Sequence, residues 1–282
     1  MKFYIVIPAH NEAAFLNKTL QSLTQQTLLP KQVVVVNDNS SDMTEQIIDD
    51  FSAIFPFIKK LNATSSNEHL PGSKVIQAFY KGFNVLDDDF DVVMKLDADI
   101  ILPEKYLETL AKNFKTDDKL GMCSGLCYIE KDGEWIYEPI ADKTHIRGPI
   151  KAYTKSCFET IGGPKISIGW DTLDVLLAQF HGFHVKTIST LHVKHLKPTG
   201  NVYSPKAKFM QGEAMYKMRY GFILTFIASV KSALKQKKLQ TLQDNLKGFF
   251  EAKHKKTPFL VTPEEGVFIR KFRYDGIKKK LF

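Results

Sequence analysis

Cysteine is scarce in this chain of 282 residues, which holds only Cys123, Cys127 and Cys157. Three thiols leave one over in any disulfide scheme, and their spacing matches no metal motif. A disulfide-built scaffold and a cysteine metal cluster are therefore excluded, and free buried thiols in a reducing compartment are expected. Long apolar runs are also missing. The stretch from Gly221 to Val230 is interrupted by Thr225 and Ser229 and is half the length that a bilayer requires. No secretory leader precedes the strand-like run Phe3-Tyr4-Ile5-Val6-Ile7, so a cytoplasmic location is expected. Internal repeats and low-complexity segments are absent.

Acidic residues thin out toward the C-terminus. Residues 1–200 carry 25 Asp and Glu against 21 Lys and Arg, whereas residues 201–282 carry 6 against 18, a net charge of +12. No aromatic-interleaved basic motif or nucleic-acid fold signature accompanies this excess, so nucleic acid is not an expected partner. Two readings remain: peripheral contact with the anionic inner face of a membrane, or lysines that solvate helix faces. Hydrophobic residues at 44% and charged residues at 25% are those of an ordinary globular protein.

The first hundred residues alternate between two periodicities. Residues 3–7, 33–36, 58–61 and 91–96 are short apolar runs that predict strands, and residues 12–26, 43–55 and 73–86 show helical spacing. Phe15, Leu16, Leu20 and Leu23 share one face of the first helix. Asp42 with Glu45 outlines a capping box before the second, and Pro71-Gly72 precedes the third. This alternation predicts an α/β fold, a parallel sheet with helices on both faces and ligands at the carboxyl ends of the strands. Pro8, Asp38 and Asp97 fall at such ends. Farther on, residues 120–129 and 134–136 read as strands around the turn Lys131-Asp132-Gly133. Gly162-Gly163-Pro164 breaks the chain, and residues 172–180 read as a helix. Beyond Pro198 the pattern is helical and basic, with Leu239, Leu242, Leu246, Phe249 and Phe250 forming an amphipathic stripe. A boundary is expected near residue 200.

Asp97-Ala98-Asp99 follows the buried run Val92-Val93-Met94-Lys95-Leu96. Two carboxylates where a strand gives way to a loop can point at one spot. Mg²⁺ or Mn²⁺ carrying phosphates takes one or two such carboxylates as hard oxygen ligands.

Ile7-Pro8-Ala9-His10-Asn11-Glu12, Val36-Asn37-Asp38-Asn39-Ser40-Ser41-Asp42 and Lys95-Leu96-Asp97-Ala98-Asp99 together resemble the nucleotide-sugar-binding half of a family 2 glycosyltransferase of the GT-A fold. Gly148, Gly162-Gly163 and Gly169-Trp170-Asp171 continue the resemblance to about residue 200. It implies a Rossmann-like, mostly parallel central sheet flanked by helices. Residues 1–100 would bind the donor, residues 101–200 would form the acceptor side, and residues 201–282 would be a basic helical appendage. The implied activity is metal-dependent inverting transfer from a nucleoside diphosphate sugar, with a UDP-sugar expected and Mn²⁺ or Mg²⁺ as cofactor. The implied acceptor is a hydroxyl of a glycan or lipid-linked molecule in cell-envelope or exopolysaccharide synthesis. Without membrane spans, a polymer-extruding synthase is not expected.

By the same resemblance, Asp99 ligates the metal, and Asp97 holds the ribose hydroxyls or shares the ion. Asp38 accepts a hydrogen bond from the N–H of uracil, thymine or guanine, and Pro8 and Ala9 offer backbone contacts. His10 stacks on the base or is simply solvated. Glu12 touches the nucleotide or is a first-turn residue favoured by the helix dipole. His195, beside the turn Lys197-Pro198-Thr199-Gly200, completes the metal shell, because alternation turns His192 to the other face. Lys74, at a helix start, or Lys95 neutralises phosphate. Asp171 is the expected catalytic base, standing where the family commonly has Glu-Asp. Asp174, one helical turn later, is the alternative, and capping the helix is the competing role for Asp171.

Two other functions are weighed. A nucleotidyltransferase-like enzyme would show a Gly-rich, Arg- and Lys-bearing loop after the first strand, and Pro8 to Glu12 contains neither Gly nor Arg. A catalytically silent binding subunit, docking through its basic tail, has no need of Asp38, Asp97, Asp99 and Asp171 together.

Overall fold

Strands β1 (Phe3–Ala9), β2 (Gln32–Asp38), β3 (Ile58–Ala63) and β4 (Val92–Leu96) make a parallel ladder in the order β3-β2-β1-β4. The computed structural model describes residues 1–64, 72–198 and 208–281. β1 and β4 are apolar at almost every position because both of their faces are covered. Phe3, Ile5 and Ile7 pack with Leu16, Leu20 and Leu23 of helix α1 (Leu16–Thr24), and Ile48 of α2 (Thr44–Ile54) joins this side. Tyr4 and Val6 pack against Ala78 and Phe79 of α3 (Ser73–Phe83) on the other side.

Beyond β4 the sheet changes direction. Strand β5 (Ile100–Ile101) and helix α4 (Tyr106–Thr116) follow the Asp pair, then the hairpin of β6 (Leu120–Lys131) and β7 (Glu134–Tyr137). β8 (Ile150–Thr154) lies antiparallel to both β4 and β6, and β9 (His184–His195) runs parallel to β6. β5 closes the far edge antiparallel to β9 with Ile100 opposite His195, which sets the late histidine beside the residue that follows Asp99. The architecture is α/β, with a mixed central sheet.

The remaining helices are α5 (Lys155–Ile161), α6 (Trp170–Phe180), α7 (Met210–Lys217), α8 (Gly221–Gln236), α9 (Gln240–His254) and α10 (Pro263–Leu281). Leu173 and Leu176 of α6, Met215 of α7, Leu224 of α8 and Ile269 of α10 all belong to the hydrophobic cluster on the α3 side. Of the amphipathic stripe, Phe249 is buried, while Leu239 and Phe250 are exposed. Among the described residues no helix is long and apolar enough to cross a membrane. All three cysteines are free and buried, and burial pushes their thiols up to about 12. Pro71, the Thr199-Gly200 part of the turn after His195 and the boundary near residue 200 lie outside the described residues.

Three local expectations are corrected. The first helix starts at Leu16 rather than Glu12, because the Glu12 amide donates to Thr44 Oγ1 at 2.8 Å and the Ala13 amide to Asp42 Oδ2 at 3.1 Å. The capping box does not form. Asp42 accepts from the Thr44 amide at 3.0 Å, while Glu45 turns away to Lys60 at 2.9 Å and Asn62 at 2.7 Å. Helix α6 begins two residues earlier than its apolar pattern suggests, since Gly169 takes the N-cap position with φ +76°.

Candidate active site

At the carboxyl ends of β1, β2 and β4, an open cleft of about 550 Å³ is lined by Pro8, Ala9, His10, Glu12, Asp38, Lys74, Asp97, Asp99 and Lys197. The fold therefore brings together the residues expected to bind the donor, apart from Lys95. Two loops brace one another at its rim. Asn11, with φ +54°, accepts the Ser41 amide at 2.8 Å, and its own amide donates to Ser40 Oγ at 3.1 Å. His10 Nδ1–H donates to the Asp38 carbonyl at 2.7 Å, which anchors an otherwise exposed ring.

The two carboxylates of the Asp pair have different surroundings. Asp97 forms an ion pair with Lys95, whose buried Nζ also reaches the Gly148 carbonyl at 3.2 Å. Lys95 is thus committed to structure and is not available to a phosphate, contrary to one expectation. Lys74 stands in the cleft wall, in the first turn of α3. Asp99 is buried, and its Oδ2 lies 3.6 Å from Nε2 of His195. Nδ1 of His195 meets Glu138 Oε2 at 3.0 Å, and Glu138 is in turn ion-paired with Arg147. Burial opposes a charge on this imidazole, but the Asp99 and Glu138 carboxylates outweigh it and hold its pKa up at about 9. His192 faces elsewhere, stacked on Tyr128 at 4.2 Å.

Glu12 precedes α1 and is not a first-turn residue. Its Oε1 pairs with Lys197 at 2.7 Å, while Oε2 is buried with no hydrogen-bond partner among the described residues. Burial pushes its carboxyl above the usual range, Lys197 opposes that shift, and the Asp99 and Asp97 charges add to it.

A carboxylate oxygen on Asp99 and an imidazole on His195, with the other ring nitrogen held by Glu138, form a donor set suited to Mn²⁺ or Mg²⁺. Among the described residues no three His, Cys, Asp or Glu side chains group into a complete metal cage. Mg²⁺ ordinarily binds through one or two protein carboxylates and draws its other ligands from water and substrate phosphate. The residues present fit such an ion.

Asp171 does not line the cleft. It occupies the first turn of α6, where Gly169 takes the N-cap position and no side chain caps the helix, so its carboxylate is not spent on capping. Gly148 connects the two regions. A Cβ there would lie 3.3 Å from Trp170 and 3.5 Å from Asp171 Cβ, so the backbone that receives Lys95 passes close to the Asp171 residue. Asp174 is corrected as an alternative base. It is fully buried, with Lys151 Nζ at 2.6 Å and the Tyr153 hydroxyl at 2.5 Å, and burial pushes its carboxyl up to about 6 against the pull of both partners.

Sequence reasoning missed Glu138, Arg147, Lys151, Tyr153 and Lys197. Lys151 left a signal, as a lone cation in Ile150-Lys151-Ala152-Tyr153, because a lysine inside a buried strand requires a partner. Glu138 left none.

The profile of "Glycosyl transferase family 2" matches residues 4–163. Over 211 residues the chain is 27% identical to the "Probable glycosyltransferase YdaM" of Bacillus subtilis (strain 168), a match that covers 66% of this chain and 48% of that protein. It is 30% identical over 123 residues to the poly-beta-1,6-N-acetyl-D-glucosamine synthase of Staphylococcus epidermidis, covering 43% of this chain and 27% of that one. The chain spans about half the length, or less, of the curated relatives it matches. Among solved structures, S. aureus TarS 1-349 in complex with UDP-GlcNAc aligns with a TM-score of 0.57 at 18% identity, over 80% of this chain and 66% of that one. The mannosyltransferase PcManGT of Pyrobaculum calidifontis, in complex with GDP-Man and Mn²⁺, aligns with a TM-score of 0.56 at 15% identity, over 100% of this chain and 81% of that one. At such identities the structural likeness speaks to fold, and that fold is the GT-A fold.

Proposed function

The chain belongs to glycosyl transferase family 2, and from that premise we propose that it transfers a sugar, with inversion, from a nucleoside diphosphate sugar to an acceptor hydroxyl. The observation that carries the reading is the contact at 3.6 Å between buried His195 and Asp99, which with Asp97 lines a cleft that also holds Asp38 and Lys74. Asp38 would accept a hydrogen bond from the base N–H, and a UDP-sugar is the proposed donor. Its support is general: TarS and PcManGT are each described with a bound nucleotide sugar.

Asp99 and His195 would hold a divalent cation, with Asp97 sharing it or turning to the ribose hydroxyls. When bound, that cation supplies positive charge to the diphosphate as it leaves. PcManGT is described with Mn²⁺, which supports the same choice here. Lys74 adds a cation at the start of a helix whose free amides also favour anions. Asp171 would remove the proton of the acceptor hydroxyl as its oxygen bonds to the anomeric carbon and the bond from that carbon to the diphosphate breaks. General-base assistance of this kind contributes typically about 10²–10⁴-fold.

The proposed acceptor is a glycan or lipid-linked molecule of envelope polysaccharide synthesis, a class supported by the relative described as a poly-beta-1,6-N-acetyl-D-glucosamine synthase. We place the enzyme in the cytoplasm, with peripheral contact to an anionic membrane. Phe222, Ile223 and Phe226 of α8 are exposed, the Phe222 ring lies 5.7 Å from that of exposed Phe250, and the segment from residue 201 onward carries the +12 charge. An interfacial helix combines this kind of apolar face with lysines.

A thermal-shift screen of UDP-, GDP- and dTDP-sugars, with and without Mn²⁺, tests the reading. One donor class is expected to stabilise the protein only when metal is present. Stabilisation by no donor at all would remove it.

A further inference from the structure

A second cavity, of about 380 Å³, lies between α6, α7, α8 and α10 and has no part in the donor site. Its volume is within the usual range for small-molecule sites. Met215, Met218, Leu224, Ile227, Phe272 and Ile277 give it an apolar lining. Lys231 and Arg273 also stand in its wall, and among the described residues neither pairs with a carboxylate. Arg273 instead donates through Nε to the Tyr220 hydroxyl at 3.1 Å.

The position of the cavity is informative. Gly169 and Thr172, the residues on either side of Trp170-Asp171, form part of its wall. Leu224, Ile227, Ala228 and Lys231 of α8 also line it, and Ile227 continues into the exposed apolar residues Phe222, Ile223 and Phe226 of the same helix.

We propose that this cavity is the acceptor subsite for an amphiphile: a single apolar chain lies among the α7, α8 and α10 side chains, and an anionic head meets Arg273 and Lys231. The head carries the acceptor hydroxyl toward Asp171, and the tail leaves along the exposed apolar face of α8. Charge complementarity favours an anionic head, since exposed Lys231 and part-buried Arg273 both border the apolar lining and only cations, no carboxylates, are among the charged lining residues. The chemistry of transfer rests on the glycosyltransfer reading; binding of the chain does not.

The test uses the full chain and alkyl phosphates from butyl to dodecyl, kept below their micelle-forming concentrations, with inorganic phosphate alongside. Calorimetry is expected to show affinity rising about fourfold with each added methylene until the cavity is filled. A Cβ at Gly276 would meet nothing within 4 Å, so Gly276→Trp adds bulk to the cavity lining without a backbone clash. That variant should weaken dodecyl phosphate at least tenfold, and Arg273→Gln should weaken the whole series by a similar factor at every chain length. Both should keep wild-type hydrolysis of the donor in the absence of acceptor, because neither residue lines the donor cleft. Affinity independent of chain length, inorganic phosphate binding as tightly as dodecyl phosphate, or Gly276→Trp binding dodecyl phosphate like wild type would each overturn the proposal. Loss of transfer to a soluble oligosaccharide in Gly276→Trp, with alkyl phosphate binding intact, would do so too. Absence of donor hydrolysis in the wild type would count against glycosyl transfer alone, leaving the calorimetric result to stand by itself.

Discussion

Nδ1 of His195 sits 3.0 Å from Glu138 Oε2, and its Nε2 sits 3.6 Å from Asp99 Oδ2. One imidazole therefore links a carboxylate that orients it to a carboxylate of the donor cleft. Partners that hold a ligand histidine from behind typically contribute about 10–100-fold to metal affinity. Glu138→Gln is expected to weaken Mn²⁺ binding by that factor while metal-free UDP binding changes little. Electron paramagnetic resonance of free Mn²⁺ measures the first, and calorimetry in EDTA the second.

Asp171→Asn should bind donor as the wild type does and transfer at least about a hundredfold more slowly. Steady-state kinetics beside donor titration separates the two effects. Unchanged turnover would take the base role away from Asp171, and the buried Lys151–Asp174–Tyr153 cluster leaves Asp174 poorly placed to inherit it.

That cluster should show itself in stability. Removing one partner of a buried ion pair leaves an uncompensated charge and costs about 3–5 kcal/mol, whereas replacing both by apolar residues is often close to neutral. Lys151→Met should lower the urea midpoint markedly, and Lys151→Met with Asp174→Leu should recover much of the loss. Equilibrium urea denaturation followed by circular dichroism reads both.

His145 provides a pH test. Burial, Lys151, Arg273 and Arg147 push its pKa down to about 4 from an ordinary 6.5, although Asp171 pulls the other way. The unfolded chain then binds the proton more tightly than the folded one. The contribution of His145 to stability is present above pH 6.5 and is lost as pH falls toward 4, amounting to about 3 kcal/mol for a shift of this size. His145→Gln should lose less stability than wild type between pH 7 and pH 4.5, with urea midpoints as the measure.

The surface formed by α8 and α9 gives a prediction about lipid. Lys235→Glu with Lys237→Glu and Lys238→Glu should sharply reduce sedimentation with phosphatidylglycerol vesicles, since each basic residue near such a surface contributes about 1 kcal/mol. Phe222→Ser should reduce it further. Sedimentation that ignores both changes would remove the membrane contact from the proposed function.

The first half of the fold was legible because its signals are local. Parallel strands covered on both faces read as unbroken apolar runs, and β1, β2 and β4 end in residues whose chemistry is recognisable, Pro8, Asp38 and Asp97. Element ends were less legible, because loop contacts such as Glu12 to Thr44 compete with helix starts from far along the chain. Strands β5 and β8, helix α5 and the first part of β9 were not anticipated, being short or only weakly alternating, and α4 was missed although Tyr106, Leu107, Leu110 and Phe114 share one buried face. Strand alternation did separate His195 from His192. Glu138 and Arg147 could not have been picked out, because their importance arises only when the hairpin of β6 and β7 folds against β9.

The two-residue strand β5 has a consequence for how such a chain can change. It pins Ile100 opposite His195, so the Asp99–His195 contact is fixed by backbone pairing at the edge of the sheet and not by the path of the chain between them. The middle third of the sequence is a loop closed by that clasp. Changes in the turns of that span can therefore leave the register of Ile100 and His195 untouched.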